Sequence, residues 1–229
     1  MRVPSRLQSN FRYPLNRIFS SEGAVRVLRE LTRHGGELAI PRLAEATKLN
    51  QQTVRNVLLG DLTRSGIVET VGQGRSTLYR VRAKYPLYPL IDHLFAAEEA
   101  RIQRIFQTLT TAAPAAAPDV LAVWIFGSVA RGDDEPGSDL DVALVVPDAD
   151  SIESAVSAYR ERLSSLLDSE RITVSVVGMS SDDVLRLAAD EAPWWRNVAA
   201  EAQPVLGLPP APLVEHLRST RGGGGTRAA

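Results

Sequence analysis

The chain has 229 residues, of which 44% are hydrophobic, 23% are charged and none is cysteine. This composition is typical of a globular protein with room for two modest domains, and it excludes a disulfide framework or a thiolate metal site. No apolar run reaches the roughly 18 residues that a membrane helix needs, and the first residues lack an apolar signal core, so we expect a cytoplasmic protein without membrane contact.

The net charge of −1 conceals two parts of opposite sign. Residues 1–90 contain 15 Lys and Arg against 6 Asp and Glu, a net charge of +9. Residues 91–229 contain 11 against 21, a net charge of −10. A basic first part indicates that this part of the chain meets a polyanion such as double-stranded DNA.

The basic part begins with a segment of unclear structure and two predicted helices. Residues 1–16 show no period, and their arginines fit either a nucleic-acid-binding arm or a solvated tail. Ser20 or Ser21 can cap a first helix, which ends at His34-Gly35-Gly36. A second helix spans about Pro41 to Thr47, with proline at a favourable first position.

A third helix and a hairpin complete this part. Asn50 can cap a helix from Gln51 to about Ser65, which would bury one apolar face. Two β-branched segments, Ile67–Val71 and Thr77–Val81, flank a glycine-rich turn and predict a β-hairpin.

Three helices followed by a basic hairpin resemble a winged helix-turn-helix of the ArsR or MarR type, with the third helix as recognition helix. The resemblance implies DNA contacts from the first turn of that helix and from the wing tip. The alternative is a winged helix that contacts only protein. The expected DNA-binding residues are Gln51, Gln52, Thr53, Arg55, Asn56, Arg75 and Ser76.

A stiff junction, Lys84-Tyr-Pro-Leu-Tyr-Pro89, precedes a long helix predicted from Leu90 to about Thr110. Its apolar residues recur at helical spacing. They fit either a connector packed on one domain or the seam of a homodimer, since winged regulators bind paired half-sites. Ala112–Pro118, rich in alanine and proline, is expected to be a linker.

The stretch from Trp124 to Val146 combines two apolar strands with a polar loop. Val123–Phe126 predict a buried strand that Gly127 and Ser128 interrupt, and a second strand runs from Leu140 to Val146. A short helix after Ser128 would aim its free N–H groups at this break, which predicts an anion site.

Asp139 and Asp141 lie two residues apart, so both carboxylates face the same side of the second strand. Two carboxylates beside an anion site are what a Mg²⁺–nucleotide complex requires. The alternative is an acidic, glycine-rich hairpin without a ligand.

These residues resemble the nucleotidyltransferase superfamily that includes DNA polymerase β, and within it the minimal nucleotidyltransferases. Gly127-Ser128, ten intervening residues and Asp139-Leu140-Asp141 follow that family's pattern, and Ala130-Arg131-Gly132-Asp133 also fits. The resemblance implies Mg²⁺ as cofactor and ATP or another NTP as ligand. It implies Asp139 and Asp141 as catalytic and metal-binding residues, and nucleotide contacts from Gly127, Ser128, Arg131 and Ser138.

Three further elements are predicted after Val146. They are an amphipathic helix over Ser151–Asp168, a β-branched strand over Arg171–Val177 and a helix over Asp182–Ala189. Trp194 and Trp195 are interpreted as packing residues rather than as a stacking platform.

The strand Arg171–Val177 departs from the pattern of active relatives, which carry a third carboxylate on this strand. It contains no Asp or Glu, and Ser175 falls where the carboxylate would lie. A hydroxyl group cannot act as a general base at neutral pH, so the resemblance leaves catalysis open.

The whole layout resembles a bacterial and archaeal family of fused regulators. It predicts an α+β chain in which a winged helix-turn-helix domain precedes a nucleotidyltransferase-fold domain with a mixed β-sheet and helices. The expected parts are an N-terminal arm (1–16), the winged helix-turn-helix domain (17–86), a connecting helix and linker (87–118), the nucleotidyltransferase-like domain (119–208) and a disordered tail (209–229).

Three functions follow from this layout. The first is a DNA-binding transcriptional regulator whose second domain binds Mg-NTP as a sensor. The second is an active enzyme that transfers a nucleoside monophosphate from an NTP to a hydroxyl group of protein or RNA. The third is an antitoxin-type repressor that masks a toxin-like partner protein.

Overall fold

The computed structural model describes residues 15–72, 74 and 77–222. They fall into two compact units, one within residues 1–100 and one within residues 101–229. No helix among the described residues is long and apolar enough to cross a membrane.

The first unit contains four helices and a hairpin around one apolar core. Its helices are α1 (Leu15–Ile18), α2 (Glu22–His34), α3 (Ile40–Thr47) and α4 (Gln51–Val57). The expected caps of α2 are present: the Ser21 hydroxyl accepts the Ala24 N–H at 3.2 Å, and Gly35 ends the helix in a left-handed conformation.

The third predicted helix is not a regular α-helix to its end. After α4, residues Leu58–Leu62 form a π-helical turn. Residues four apart on an α-helix drift around its axis by roughly 40°. The π-helical turn contains more residues per turn and so offsets that drift. Val54, Leu58 and Leu62 all remain fully buried.

The predicted hairpin is confirmed as an antiparallel pair, β1 (Val68–Val71) and β2 (Leu78–Val81). An isolated bridge between Leu38 and Tyr79 joins the hairpin to the segment before α3. Helices α2, α3 and α4, followed by this hairpin, make the unit a winged helix-turn-helix.

Helix α5 (Tyr88–Ala116) belongs to both units. Ile91 and Phe95 from its first half are buried in the first core, whereas Ile105 and Leu109 from its second half are buried in the second. The helix continues to Ala116, so most of the expected linker is helical, and Ala112 and Ala113 are buried.

The second unit is built on a four-stranded mixed sheet with the order β5-β4-β3-β6. The strands are β3 (Ala122–Phe126), β4 (Leu140–Val146), β5 (Val174–Ser180) and β6 (Gln203–Gly207). Strand β3 is antiparallel to both β4 and β6, and β4 is parallel to β5.

Helices cover both faces of this sheet. The second half of α5 and helix α7 (Ile152–Glu170) pack on one face. Helices α8 (Ser181–Ala189), α9 (Pro193–Glu201) and α10 (Pro210–Gly222) pack on the other, around Trp124 and Trp195. A short helix, α6 (Gly127–Arg131), follows β3 directly.

Two predictions about this unit were wrong. The third strand begins at Val174 rather than Arg171, because α7 continues to Glu170 and Arg171 takes a left-handed conformation that turns the chain. The tail from residue 209 was expected to be disordered, but Pro210–Gly222 form α10. Leu213, Val214 and Leu217 bury one side of that helix.

The packing of α10 can be tested with a matched pair of substitutions. Leu213→Ala should lower the free energy of unfolding of the second unit by about 2–4 kcal/mol, because Leu213 is only 3% exposed. Glu215→Ala, on the exposed side of the same helix, should change it by less than about 0.5 kcal/mol. All three tryptophans lie in this unit, so their fluorescence during denaturation reports it. Equal effects would show that α10 is not packed.

Candidate functional site

At the junction of β3 and α6, a carboxylate group lies directly against the main chain, at a residue that has no side chain. Gly127 has a φ of +75°, and a Cβ atom at this position would overlap the Asp141 carboxylate. Phe126 and Asp141 are partners in the antiparallel register, so the sheet itself brings the two residues together. Only glycine satisfies both the backbone conformation and the close approach.

Asp141 is the centre of this site. Its pKa is raised above the ordinary value, chiefly by burial and then by the nearby charge of Asp139. Ser175 and Arg131 act in the opposite direction and lower it. The chain therefore holds a partly desolvated carboxylate close to a second one, an arrangement that a bound cation would relieve.

Asp139 and Asp141 fit a magnesium ion in their chemistry. Mg²⁺ takes one or two protein carboxylates and completes its shell with water and phosphate oxygens. Among the described residues, no group of three or more His, Cys, Asp or Glu side chains could hold a metal ion. A divalent ion here would thus depend on these two carboxylates and on oxygens that a ligand supplies.

Ser175 lies next to Asp141, as the sequence predicted. The two residues are register partners on the parallel pair β4 and β5, and the Ser175 hydroxyl lowers the pKa of Asp141. Strand β5 carries no Asp or Glu along its length. The residue of β5 that faces Asp141 therefore carries a hydroxyl group and not a carboxylate.

Glu201, at the end of α9, joins the site although nothing in the sequence pointed to it. Its carboxylate accepts the Gly127 N–H at 3.1 Å and is paired with Arg131 at 3.0 Å. Arg131 also binds Asp133 at 3.1 Å, and the two carboxylates raise the pKa of its guanidinium. The arginine that was expected to bind phosphate is thus already neutralised within the chain.

The two serines of the predicted nucleotide site differ in their contacts. Within the described part of the chain, the Ser128 side chain makes no hydrogen bond, whereas its carbonyl accepts the Gly132 and Asp133 N–H groups. The Ser138 hydroxyl accepts the Glu135 N–H at 2.9 Å and shapes the loop before Asp139. Ser128 is consequently the more available of the two for a ligand.

A cavity of about 560 Å³ lies elsewhere in the second unit. It is bordered by Leu121, Pro147 and residues of α10. Leu121 precedes β3 and Pro147 follows β4, so this cavity lies at the end of the sheet opposite to Gly127 and Asp139. The carboxylate site is therefore not part of it.

In the first unit, the predicted recognition helix corresponds to α4. Gln51, Gln52, Arg55 and Asn56 are exposed and Thr53 is half-buried. The Gln52 amide donates to Asn56 at 2.8 Å, and Asn50 caps the helix by accepting the Thr53 N–H at 2.7 Å. Arg75 and Ser76, predicted at the wing tip, lie outside the described residues.

Of the eleven lysines and arginines that the structure describes in this unit, seven are paired with carboxylates. Within residues 15–72, 74 and 77–100, ion pairs hold Arg17, Arg26, Arg29, Arg33, Arg42, Arg80 and Arg82. In the same part of the chain, no ion pair holds Lys48, Arg55, Arg64 or Lys84. Lys48 and Arg55 flank the start of α4, so unpaired positive charge accompanies its polar side chains.

Comparisons with known proteins show a similarity over part of the chain. The family model described as polymerase beta, nucleotidyltransferase, matches residues 107–188. No curated protein matches the chain in sequence.

Similar solved structures include proteins of two kinds. One is a toxin-antitoxin structure with AMP-PNP, at 18% identity and a TM-score of 0.35, covering 52% of this chain and 87% of that one. A second is the AntR antimony-specific transcriptional repressor, at 20% identity and a TM-score of 0.35, covering 47% and 90%. A third is the winged helix-turn-helix domain of a possible ArsR-family regulator from Mycobacterium bovis, at 23% identity and a TM-score of 0.31, covering 45% and 91%.

The raised pKa of Asp141 predicts a pH-dependent gain in stability when its charge is removed. Asp141→Asn should raise the unfolding temperature at pH 7, since the ionised carboxylate is disfavoured in the folded state. The gain should shrink as the pH falls through the raised pKa of Asp141 and vanish below its ordinary value of 3.8.

Mg²⁺ provides the second arm of this experiment. It should stabilise the parent protein more than the Asp141→Asn variant, because only the parent offers both carboxylates. Asp150→Asn, which removes an exposed charge beyond the end of β4, is the matched control. If the Asp141→Asn variant were no more stable than the parent at pH 7, the raised pKa of Asp141 would be contradicted.

Proposed function

We propose that the chain is a DNA-binding transcriptional regulator whose second unit, which contains the residues 107–188 that match the polymerase beta, nucleotidyltransferase family model, binds Mg-NTP as a sensor. The observation that carries the nucleotide part is the pair Asp139 and Asp141 beside Gly127, with Ser175 in place of a third acidic group. This arrangement favours binding over transfer.

The electrostatics of the site support a metal-dependent ligand. Arg131 pairs with Asp133 and Glu201 and lies near Asp141, and Asp141 in turn lies near Asp139, so these four carboxylates outnumber the one guanidinium among them. A free triphosphate would be repelled by this surplus of negative charge. A divalent ion between Asp139, Asp141 and the phosphates would reverse the repulsion, and the Ser128 hydroxyl and Gly127 N–H could then donate to phosphate oxygens.

The absence of acidic groups from β5 supports sensing rather than catalysis. In two-metal phosphoryl transfer, carboxylates hold the ion that activates the attacking hydroxyl group. Ser175 carries no charge and cannot accept a proton at neutral pH. Asp139 and Asp141 can therefore retain the nucleotide while the attacking group lacks both a base and a well-held metal.

A titration of the full chain with ATP tests this proposal. The parent should bind ATP only when Mg²⁺ is present. The double variant Asp139→Asn, Asp141→Asn should lose at least about tenfold in affinity, because both metal ligands are weakened. Asp150→Asn should bind as the parent does.

Two outcomes of related assays would favour the other functions. Release of labelled pyrophosphate and labelling of an acceptor by the parent would assign an active nucleotidyltransferase and contradict the sensor. Co-purification of a toxin-like partner protein with the chain, without any response to nucleotide, would favour an antitoxin-type repressor.

The DNA-binding part of the proposal rests on the exposed face of α4. Its first turn combines amide and hydroxyl side chains, which read base edges, with Arg55 and the neighbouring Lys48, which suit phosphates. The net charge of +9 over residues 1–90 adds a long-range attraction for the duplex. We include Arg75 and Ser76 at the wing tip in this interface as part of the proposal.

A homodimer is the form in which we expect DNA to be bound. Leu90 and Leu94, one turn apart on α5, are 69% and 50% exposed, and such exposed leucines suit the seam of a helix pair. Two copies would place two recognition helices on paired half-sites. The stoichiometry of the complex with DNA reports this directly.

Salt-dependent binding to the DNA upstream of its own coding sequence tests the interface. Arg55→Ala should weaken binding and lower the slope of log affinity against log salt by about 1, because one phosphate contact is lost. Arg42→Ala should leave the slope unchanged, since Glu45 already neutralises Arg42 at 2.6 Å. A full-length parent without salt-dependent affinity for this duplex would rule out the DNA-binding function.

A further inference from the structure

A small groove lies beside the carboxylate site in the second unit. Its volume is about 290 Å³, and it is bordered by Val177 in the middle of β5, by Asp183, Arg186 and Leu187 of α8, and by Trp194 of α9. A space of this size holds a single ring system rather than a whole nucleotide.

The groove continues the face of the sheet that carries the carboxylate. Ser175 is the register partner of Asp141, and Val177 is the next residue on the same face of β5. Two residues along a strand span about 7 Å. Val177 is 40% exposed, although it belongs to a strand that is otherwise mostly covered.

Trp194 connects the groove to the other side of the site. Its ring meets Phe126 edge-on, with centroids 5.5 Å apart, and Phe126 directly precedes Gly127. Trp195 differs: it is only 6% exposed and packs on Trp124 in the core. Both tryptophans pack as the sequence predicted, but Trp194 is only half-buried and also borders the groove.

Helix α9 aligns the groove with the phosphate end of the site. Trp194 and Glu201 lie seven residues apart, close to two turns, so they lie on the same side of the helix about 10 Å from each other. Trp194 meets Phe126, and Glu201 meets the N–H of Gly127. A nucleotide with its phosphates near Gly127 would extend its base towards Trp194.

The charged side chains that border the groove already pair with each other. The Asp183 carboxylate accepts the Ser180 N–H at 3.1 Å and pairs with Arg186 at 2.8 Å. Because these charged groups are paired, the surface of the groove that remains for recognising a ligand consists of an aromatic ring and aliphatic side chains. Such a surface stacks on any base and favours the larger ring of a purine.

From these observations we infer that the groove is the nucleobase subsite of the second unit, where Trp194 stacks on the base of a purine nucleotide. The inference rests on the proposed function, because it takes Asp139 and Asp141 as the metal-bound phosphate end. It adds a ligand class: ATP and GTP bind alike, and both bind more tightly than CTP or UTP.

Calorimetric titration of the full chain with Mg-ATP and with Mg-tripolyphosphate, which has no base, separates the two ends of the site. The parent should bind Mg-ATP about 5- to 100-fold more tightly than Mg-tripolyphosphate. Trp194→Ala should remove most of this difference and leave the affinity for Mg-tripolyphosphate unchanged. Trp194→Phe should retain part of it, and Arg196→Ala, an exposed neighbour on α9, all of it.

Val177→Phe provides a second variant at an exposed position, where folding is not at risk. The new ring would fill the groove and should weaken Mg-ATP without affecting Mg-tripolyphosphate. Equal affinities of the parent for both ligands, or an equal loss of both in Trp194→Ala, would overturn the base subsite while leaving the phosphate site in place. A parent that binds neither ligand would overturn the proposed function and the subsite together.

Discussion

The close approach of the Asp141 carboxylate to the backbone of Gly127 is the contact on which the site of the second unit depends. It is possible because residue 127 has no Cβ atom and takes a left-handed conformation. The antiparallel pairing of β3 and β4 sets the positions of both residues, and the parallel pairing of β4 and β5 adds Ser175 from the other side. The sheet thereby fixes Asp141, Gly127 and Ser175 relative to one another without help from the loops.

The same contact explains the electrostatic state of the site. Holding Asp141 against the chain removes part of its water and places it near Asp139, so its pKa rises. Glu201 meanwhile occupies the N–H of Gly127 and half of the Arg131 guanidinium. A phosphate that is to use these donors must displace Glu201, and only a cation can offset the added negative charge. Under the proposed function, metal and nucleotide would therefore bind together.

The sequence allowed some of these features to be predicted and hid others. Strands β3 and β4 were predictable because each is a short run of apolar, β-branched or aromatic residues beside a glycine-rich break. Ser175 was assigned to the correct face even though β5 begins later than predicted, because alternation along a strand does not depend on where the strand ends.

The features that were missed depend on distant contacts. Glu201 reaches Gly127 across 74 positions of sequence, and no local pattern distinguishes it from other surface glutamates. The apolar residues of α10 meet a sheet face formed far earlier in the chain, so a segment flanked by proline and glycine was interpreted as disordered. The fold of each unit could thus be predicted, but the partners that complete the site could not.

Because of the ion pairs in the first unit, its net charge is a poor measure of how many cations can contact DNA phosphates. An arginine held by a carboxylate within the chain releases few counterions when DNA approaches, so the charge of +9 overstates the number of phosphate contacts. Within the described residues of this unit, Lys48 and Arg55 are the unpaired cations that flank the start of α4. Two such contacts give weak binding, since each contributes only about one unit to the salt dependence. A recognition helix with so few free cations requires reinforcement from base contacts or from a second copy on the adjacent half-site. Under the proposed function, this requirement would make the exposed leucines of α5 as important for DNA binding as the polar face of α4.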